Sequence, residues 1–329
     1  MSKPAAANLA RVLPRFLEIH PMSTSPKAAE PAAQNDLFVA NVTEWPVKDD
    51  LASMEFPIFA LTKNRDTNIR EYVNPQSGKS IRVTPAVIGG ATVFDKDILL
   101  YIGSQIMEAR RNGDPISRNV KVDVYNFLTS TCKSTGGNAY TLILDMLRRL
   151  KGTSIETNIK TGDVEQTRGF GLIEDYTVDR YTKNKKGVLE ATVTMSEWLF
   201  NALIHFEVLT IDRRYFLLGG ALERRLYELA RKHTGDKAIW KCDIEIMRQK
   251  TGSSQSLRGF RSEVRTIIKA DSLPNYRVAL DTSCKPHKVV FYTRDTNVLL
   301  EELRKAGNLG KADNLEWFEK LERCADSAA

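Results

Sequence analysis

The spacing of hydrophobic and polar residues changes several times along this 329-residue chain, and the changes follow the same order in both halves. In the first half, apolar residues three and four positions apart predict a helix over 94–113 that ends at a basic turn and Gly113. A strand running into a second helix follows at 120–128, and 134–158 has the pattern of a loop, a helix and the start of a strand. Strand-like runs separated by turn-forming residues complete this half. The order helix, strand, helix, helix and hairpin is that of a winged helix.

The second half of the chain repeats this order. It contains a predicted helix over 212–235, a strand and helix over 238–249, a helix over 253–270 and a hairpin over 276–294. When the halves are aligned without gaps, hydrophobic positions match at a constant offset of 120 residues, the distance from Asp123 to Asp243. Few matched residues are identical, so the hydrophobic pattern carries the repeat.

These patterns predict an α+β protein with two tandem winged-helix domains and a disordered N-terminal tail. Residues 1–48 are assigned to the tail, because the first 35 or so are rich in Ala, Pro and Ser and too poor in apolar side chains to form a core. Residues 49–195 form the first predicted domain. Residues 196–329 hold a linker helix, the second domain and two C-terminal helices. A chain of this length suits about two domains.

The chain is moderately basic. Lys and Arg number 48 against 41 Asp and Glu, which gives a net charge of +7 and a pI near 9.1. Many soluble proteins with no nucleic-acid partner share such an excess, so the placement of the charges matters more than their sum.

The cysteine pattern indicates free thiols. Cys132, Cys242, Cys284 and Cys324 are far apart and include no C-x-x-C pair, which argues against a zinc ribbon or a redox motif. Cys284 and His287 have a ligand-like spacing, but zinc would need two further ligands. Free thiols without a signal peptide favour a reducing cytoplasm. No apolar run approaches the ~20 residues that span a membrane, so no membrane partner is expected.

The clearest candidate binding site is the helix predicted within 253–270. At 100° per residue, four of its basic side chains fall within one narrow stripe beside a separate apolar face: Arg258, Arg261, Arg265 and Lys269. Such a stripe suits the major groove of duplex DNA, where Arg contacts guanine and Lys or Arg neutralises phosphates. The following hairpin bears Lys285 and Lys288, which would contact the DNA backbone or the minor groove. A solvated helix surface is the alternative interpretation.

The corresponding helix of the first half, within 134–158, is less basic. Four of its residues face away from the apolar core side and are candidate DNA contacts: Asn138, Thr141, Arg148 and Arg149. Leu142 and Met146 are predicted to be partly exposed beside them. Exposed apolar side chains among few charges indicate a protein interface as readily as a DNA contact.

A short motif lies near the end of the predicted tail. The sequence QNDLF at 34–38 resembles the peptide by which bacterial proteins bind the sliding clamp of DNA polymerase. In that interpretation Gln34 hydrogen-bonds to the rim of the clamp pocket, while Leu37 and Phe38 fill an apolar cleft. The alternative is that Phe38 anchors the boundary between the tail and the folded protein.

The sequence shows no constellation of catalytic residues. Its four histidines include no His-x-His pair of the kind that a rolling-circle nickase uses, and CKSTGG at 132–137 lacks the order of Gly and Lys that a P-loop requires. We therefore expect a protein that is not an enzyme and that needs no metal or other cofactor.

The run DLFVANVTEWPVKDDLASMEFPIFALTK at 36–63, the sequence NIREY at 68–72 and the two winged-helix segments together resemble the replication initiator protein A family of broad-host-range bacterial plasmids. The resemblance extends over about residues 36–294. It implies a cytoplasmic bacterial protein that binds directly repeated sites, called iterons, in a plasmid origin. It also implies that the protein opens adjacent A·T-rich DNA with the host initiator and recruits the replicative helicase and polymerase components.

The same resemblance implies two oligomeric forms. A monomer would bind iterons, in equilibrium with a homodimer that represses or pairs origins and so controls plasmid copy number. The dimer contact would lie in the first winged helix. This implication agrees with the predicted exposure of Leu142 and Met146.

Two other functions fit the same residues. A winged-helix transcriptional repressor would bind an operator without opening DNA. A nuclease or nickase would use the winged helices as targeting domains. Melting of DNA beside the binding site and nicking of supercoiled plasmid distinguish these alternatives.

Overall fold

The computed structural model describes residues 37–73, 78–161, 164–181, 189–235, 237–283 and 285–305. These residues form a mixed α+β fold. The strands are β1 (Phe38–Ala40), β2 (Val47–Asp50), β3 (Arg70–Val73), β4 (Ser80–Thr84), β5 (Asn119–Asp123), β6 (Ser154–Thr161), β7 (Val164–Gly171), β8 (Ile173–Arg180), β9 (Leu189–Met195), β10 (Val208–Ile211), β11 (Ile239–Asp243), β12 (Tyr276–Asp281) and β13 (Lys288–Thr293). The α-helices are α1 (Leu51–Glu55), α2 (Lys96–Asn112), α3 (Val124–Ser130), α4 (Ala139–Gly152), α5 (Glu197–Ile204), α6 (Ala221–Thr234), α7 (Ile244–Thr251), α8 (Leu257–Ala270) and α9 (Thr296–Lys305).

Each half of the chain forms a unit with the predicted order of elements. In the first unit, α2, β5, α3 and α4 precede the hairpin β8–β9, and the sheet has the order β1-β5-β9-β8. In the second unit, α6, β11, α7 and α8 precede the hairpin β12–β13, and the sheet has the order β11-β13-β12. The second hairpin strand lies between the first hairpin strand and the strand before the helix pair in both units, which is the winged-helix arrangement. One continuous hydrophobic core extends through both units, so their independence as separate domains stays a prediction.

Local sequence signals set the ends of several helices. Gly113 has a φ of 82° and ends α2 in the left-handed conformation that glycine adopts without strain. Asp123 and Ser256 cap α3 and α8 by accepting hydrogen bonds from backbone N–H groups three residues further on, at 3.0 and 3.2 Å. Ser196 caps α5 in the same way. The predicted helix end at Gly113 is confirmed.

The predicted constant offset of 120 residues holds for β5 and β11 but fails for the helices α4 and α8. In these helices the fully buried residues match at an offset of 117, so that Ile143 corresponds to Phe260 and Leu147 to Val264. The cause is the preceding turn, which has eight residues between α3 and α4 and five between α7 and α8. An ungapped alignment cannot register a difference of three residues in a turn.

A third sheet is inserted into the first unit. The hairpin β6–β7 follows α4 and joins β3 and β4 in the order β3-β4-β6-β7. The sequence pattern predicts one strand over 168–181, but the chain breaks at the buried Leu172, so β7 belongs to this sheet and β8 to the winged-helix sheet. Alternation of side chains along one run does not reveal that the chain passes from one sheet to another.

The elements that link the two units are shorter than predicted. The linker helix α5 ends at Ile204, and the chain continues as β10, which pairs with β2. The helix predicted from residue 212 begins at Ala221, because a 3-10 helix (Arg213–Leu217) and two glycines precede it. Glycine is a poor helix former, which explains why the helix starts after this pair.

Near both ends of the described chain, the observed elements differ in part from the predicted ones. Residues 1–48 are predicted as a tail, but its last part contains strands: β1 pairs with β5 in parallel, and β2 starts at Val47. A strand is expected on each side of the loop 62–68, but α1 and an irregular segment precede it and β3 follows it. At the other end, α9 confirms the first predicted C-terminal helix, and the second, at 313–325, lies outside the described residues.

Buried charges join the two units. Where α2 meets α6, Lys96 Nζ lies 2.7 Å from Asp49 Oδ2 and 2.9 Å from Glu228 Oε1, and all three side chains are at most 1% exposed. Arg224 of α6 and Asp97 of α2 form another buried pair at 2.6 Å. A buried charge that loses its partner is costly, so these pairs fix how α2 lies against α6.

Candidate nucleic-acid interface

Helix α8 presents most of the predicted basic stripe to solvent. Its apolar face, on which Phe260 and Val264 are fully buried, packs against β12 and α7. Three cations of the stripe are exposed on another face of the helix: Arg258, Arg265 and Lys269. Within the described part of the chain, none of the three forms an ion pair with a carboxylate. Unpaired cations on one exposed face attract a polyanion.

One cation of the stripe is less accessible. Arg261 is half-buried, and its Nε is enclosed without a hydrogen-bond partner among the described residues. On a different face of the helix, Glu263 accepts a hydrogen bond from the Gln255 amide at 2.6 Å. The Glu263 carboxylate is therefore engaged with the start of the helix and leaves the exposed cations unpaired.

The turn before α8 is held by Arg248 of α7. Its guanidinium pairs with Glu245 at 2.5 Å and donates to the carbonyl oxygens of Ser253 and Gln255 at 3.4 and 3.1 Å. The hydrogen bond with Glu245 raises the pKa of Arg248, so this side chain stays charged. The turn is thus fixed by several hydrogen bonds, and it sets the position of the N-terminal end of α8.

The two lysines predicted for the hairpin β12–β13 differ in availability. Lys285 is exposed in the turn, whereas Lys288 is half-buried opposite Asp243 and Asp281 in the two strand ladders. Burial alone would raise the pKa of Asp281, but hydrogen bonds from Ser283 and nearby charges that include Lys288 hold it below its usual range. Lys288 is therefore partly neutralised within the protein, and Lys285 is the better placed of the two for DNA.

Arg149 of α4, predicted as a DNA contact, is a structural residue. Its guanidinium forms two hydrogen bonds with the Asp95 carboxylate, at 2.6 and 2.7 Å, and the Asp95 side chain is 2% exposed. Hydrogen bonding to Asp95 raises the pKa of Arg149. The same carboxylate accepts hydrogen bonds from the backbone N–H and the hydroxyl of Thr92. The segment that starts α2 thus packs over a flank of α4 that helical periodicity predicts to be exposed, and contact of Arg149 with DNA stays a prediction.

Three polar candidates remain on α4. Asn138 immediately precedes the helix and Thr141 lies in its first turn, and both are exposed. Arg148 is also exposed, but its Nη1 lies 3.3 Å from Asp145 Oδ1, which offsets part of its charge. Contact of these three residues with DNA stays a prediction.

The apolar residues of α4 give its surface a character different from that of α8. Leu142 is 37% exposed, as predicted, but Met146 is 1% exposed, so the prediction for Met146 is wrong. The reason is that β7 and β8 both pack on α4 and widen its buried face. Arg180 of β8 also lies 5.9 Å from the Tyr140 ring, which ties the hairpin to the helix. An exposed leucine beside a partly neutralised cation favours contact with protein.

The predicted clamp-binding peptide is not free in this conformation. Gln34 lies outside the described residues. Leu37 is 43% exposed, but Phe38 is 7% exposed and pairs with Val120 in the parallel ladder between β1 and β5. A side chain packed in the protein's own core is not available to a partner's cleft in this conformation, which agrees with the alternative that Phe38 is an anchor. Binding of this peptide to the clamp stays a prediction.

The described residues contain no group of three or more His, Cys, Asp or Glu side chains that could hold a metal ion. Cys132 is exposed, and Cys242 is half-buried, where burial raises the pKa of its thiol to about 11. A helix long and apolar enough to cross a bilayer is likewise absent from this part of the chain. The candidate interfaces are therefore the exposed faces of α8, α4 and the hairpin β12–β13.

A known protein family covers most of the chain. The family model of replication initiator protein A matches residues 48–278. A curated protein of Wigglesworthia glossinidia brevipalpis, named as a replication protein, is 34% identical over 233 residues, which make up 70% of this chain and 84% of that protein.

Solved structures with a similar fold include domains 2 and 3 of RctB. One crystal structure of these domains has a TM-score of 0.51 and 13% identity, and the match covers 74% of this chain and 96% of that chain. Another crystal structure of domains 2–3 has a TM-score of 0.50 and 12% identity, covering 74% and 97%. At such low identity the similarity concerns the fold alone.

Proposed function

The chain belongs to the replication initiator protein A family, and from this premise we propose that it binds directly repeated sites in a plasmid origin through α8. The observation that supports this proposal best is the exposed set of Arg258, Arg265 and Lys269, with which no carboxylate of the described residues forms an ion pair. A helix with such a face attracts DNA and can enter the major groove.

The three side chains suit different parts of the DNA. Arg258 and Arg265 can each donate two hydrogen bonds to the O6 and N7 atoms of a guanine, which distinguishes G·C from the other base pairs. Lys269 suits a phosphate, a contact that adds affinity without reading sequence. Lys285, exposed in the hairpin turn, suits the backbone beside the groove.

The first unit has a different role in this proposal. Its helix α4 exposes Leu142, and its Arg148 is partly neutralised by Asp145. Such a surface suits a second copy of the chain better than DNA. A homodimer formed through α4 would then be in equilibrium with the monomer, with the monomer occupying the repeats and the dimer repressing or pairing origins.

The proposed action is stoichiometric and not enzymatic. The buried pairs between α2 and α6 hold the two units together. Several protein molecules on adjacent repeats can bend or strain the DNA between them. That strain would help the host initiator to open adjacent A·T-rich DNA, where the replicative helicase is then recruited.

The first experiment measures binding of the purified protein to origin repeats and to scrambled duplex across a range of salt concentrations, with size analysis of each complex. We expect a steep salt dependence, a large preference for the repeats and one protein on each repeat. Equal affinity for both duplexes would contradict sequence-specific binding and leave α8 as a non-specific electrostatic surface.

A second experiment separates initiation from the rival functions. With the host initiator added, permanganate should react with thymines beside the repeats, whereas a transcriptional repressor would leave that DNA paired. Supercoiled plasmid incubated with the protein and Mg²⁺ should stay supercoiled. The appearance of nicked circles would favour a nickase and contradict the stoichiometric proposal.

A further inference from the structure

A polar groove adjoins the N-terminal end of α8. One wall is the turn between α7 and α8, including Ser253, Ser254 and Gln255, and the other wall is formed by residues within 61–73, including Arg65. Its volume is about 620 Å³. That is far more than the roughly 10–15 Å³ that one water needs by the same measure, so the groove suits an extended ligand rather than a single ion.

The wall that contains Arg65 is held rigidly. The Asp66 carboxylate accepts hydrogen bonds from the Asn68 backbone at 3.0 Å and from the Arg70 guanidinium at 2.9 Å. The Asp66 carbonyl accepts a further bond from Gly90 N–H at 2.8 Å. Arg65 itself packs against Gly89, where an added Cβ would lie 3.3 Å from Arg65 Cγ. The stem of Arg65 is thus positioned by backbone and neighbours that do not depend on its charged end.

The charges of this wall leave one cation available. Asp66 pairs with Arg70 at 2.9 Å, and Glu71 pairs with Arg82 at 3.3 Å. Arg65 lines the groove, is exposed and forms no ion pair within the described part of the chain. Lys63, two residues earlier, lies over the Phe94 ring at 4.8 Å and does not line the groove.

The opposite wall supplies polar hydrogen-bonding groups and the positive end of a helix. Ser254 is exposed, and α8 begins at the Ser256 cap with the partial positive charge of a helix N-terminus. The carboxylate on this side, Glu263, is hydrogen-bonded to Gln255. Hydroxyl groups, guanidinium groups and helix N-termini are the groups that contact phosphates in protein–DNA complexes. Both walls therefore suit a phosphate-bearing strand.

We propose that this groove holds the sugar–phosphate backbone of the DNA strand that borders the major groove entered by α8, with Arg65 as a phosphate ligand. The proposal rests on the proposed DNA binding by α8 and adds a third DNA-contacting element outside the two winged-helix units. This element comes from the segment between α1 and α2 but lies against the second unit. Because it contacts backbone, it adds affinity and register without reading sequence.

The test compares Arg65→Gln with wild type. Glutamine keeps the part of the stem that packs on Gly89 and removes the charge. We expect binding to the repeats and to scrambled duplex to weaken by the same factor, about three- to tenfold, and the salt slope to fall by about 1. Hydroxyl-radical footprinting should lose protection of the backbone at one border of each repeat. Wild-type affinity, slope and footprint in this variant would overturn the proposal.

Two control variants make the result specific. Lys237→Gln removes the same charge from an exposed residue next to β11, at the end of the sheet opposite the hairpin turn, and should bind like wild type. Arg65→Lys restores the charge and should recover most of the slope. An equal loss in Lys237→Gln would reduce the effect to net charge and overturn the assignment of the groove.

The outcomes also separate this proposal from the function on which it rests. If wild type shows no preference for the repeats, sequence-specific binding fails, while the salt slope on scrambled duplex still measures the Arg65 contact. If the groove instead binds a second copy of the chain, the Arg65 substitution should change protein association and not DNA binding. Sedimentation of Arg65→Gln without DNA would then differ from wild type, and an altered monomer–dimer balance with an unchanged salt slope would overturn the proposal.

Discussion

The two winged-helix units share one order of strands but differ at the positions where a DNA-reading helix carries its charge. With the structural offset of 117 residues, the basic stripe of α8 corresponds to Thr141, Leu144, Arg148 and Gly152 of α4. One cation remains of four, and Asp145 offsets part of its charge. A lysine could not occupy the position of Gly152, because a Cβ there would lie 2.6 Å from Ala86 Cβ. The same arrangement therefore supports different surfaces, decided by a few exposed positions and by what packs beside them.

The two hairpins also differ in charge, and again the second unit is the less acidic. Lys288 lies opposite Asp243 in the second unit, and Glu190 lies opposite Asp123 at the matching place in the first. Glu190 pairs with Lys121 at 2.7 Å. The turn end of the first hairpin is thus more acidic than that of the second. Both differences favour α8 over α4 as the helix that meets DNA.

The largest expected effect comes from reversing charge on α8. The double variant Arg258→Glu, Arg265→Glu should lose at least about thirtyfold in affinity for the repeats, because each base-contacting arginine contributes about 1–3 kcal/mol. Binding is measured at fixed salt with the repeats and with scrambled duplex. The matched variant on α4, Arg148→Glu, should bind the repeats nearly as well as wild type. Equal losses in both variants would mean that the two units share the DNA.

Two neighbouring arginines of α4, Arg148 and Arg149, should differ in how much they contribute to stability. Arg149→Ala leaves the buried Asp95 carboxylate without its bidentate partner, so we expect a loss of about 3 kcal/mol in the free energy of unfolding. Arg148→Ala should cost less than about 0.5 kcal/mol, because its pair with Asp145 is exposed. Urea unfolding of both variants measures the difference. Similar values would show that Asp95 does not depend on Arg149.

Ion pairs join α1 to helices α6 and α7 of the second unit. Glu55 of α1 lies 2.6 Å from Lys250 of α7, 3.2 Å from Lys232 and 3.3 Å from His233 of α6. Burial alone would raise the pKa of Glu55, but interactions with His233, Lys250 and Lys232 lower it well below its usual range. The native state thus favours the charged carboxylate more than the unfolded chain does.

Substituting Glu55 tests this tie. Glu55→Gln should lower the free energy of unfolding by about 2 kcal/mol at pH 7. A carboxyl with a depressed pKa stabilises the fold above its ordinary pKa of about 4.3, and this contribution is lost as pH falls toward the depressed value. Urea titrations from pH 7 to pH 3 should therefore show wild type and variant converging at acid pH. A difference that does not change with pH would exclude the carboxylate's charge as its cause.

The sequence predicts most of what is periodic and local in this molecule. The face of α8 that carries Arg258 follows from a 3.6-residue period, and the end of α2 follows from Gly113. Periodicity shows which face of a helix is core but not which distant segment covers its flanks. That is why Arg149 and Met146 appear more available in sequence than they are. The Arg65 groove is invisible for the same reason, because its two walls are nearly 200 residues apart in the chain.

The smallest effect is the most direct test of the difference between α4 and α8. Thr141 corresponds to Arg258, is exposed and is available for substitution. If α4 contacts a second copy of the chain, Thr141→Arg should weaken the dimer by about 1 kcal/mol, because each copy brings an unpaired charge to the contact. Affinity for the repeats should then stay within about twofold of wild type, and the salt slope should not change.

Sedimentation of the Thr141→Arg variant gives the dimer constant, and the salt titration gives the slope. Thr141→Ser at the same position is the control, because it changes neither charge nor hydrogen-bonding capacity. A salt slope that rises by about 1, with an unchanged dimer constant, would place α4 on the DNA beside α8. In that case α4 would also contact DNA, but more weakly than α8 because it carries fewer cations. The dimer would then form through a different surface.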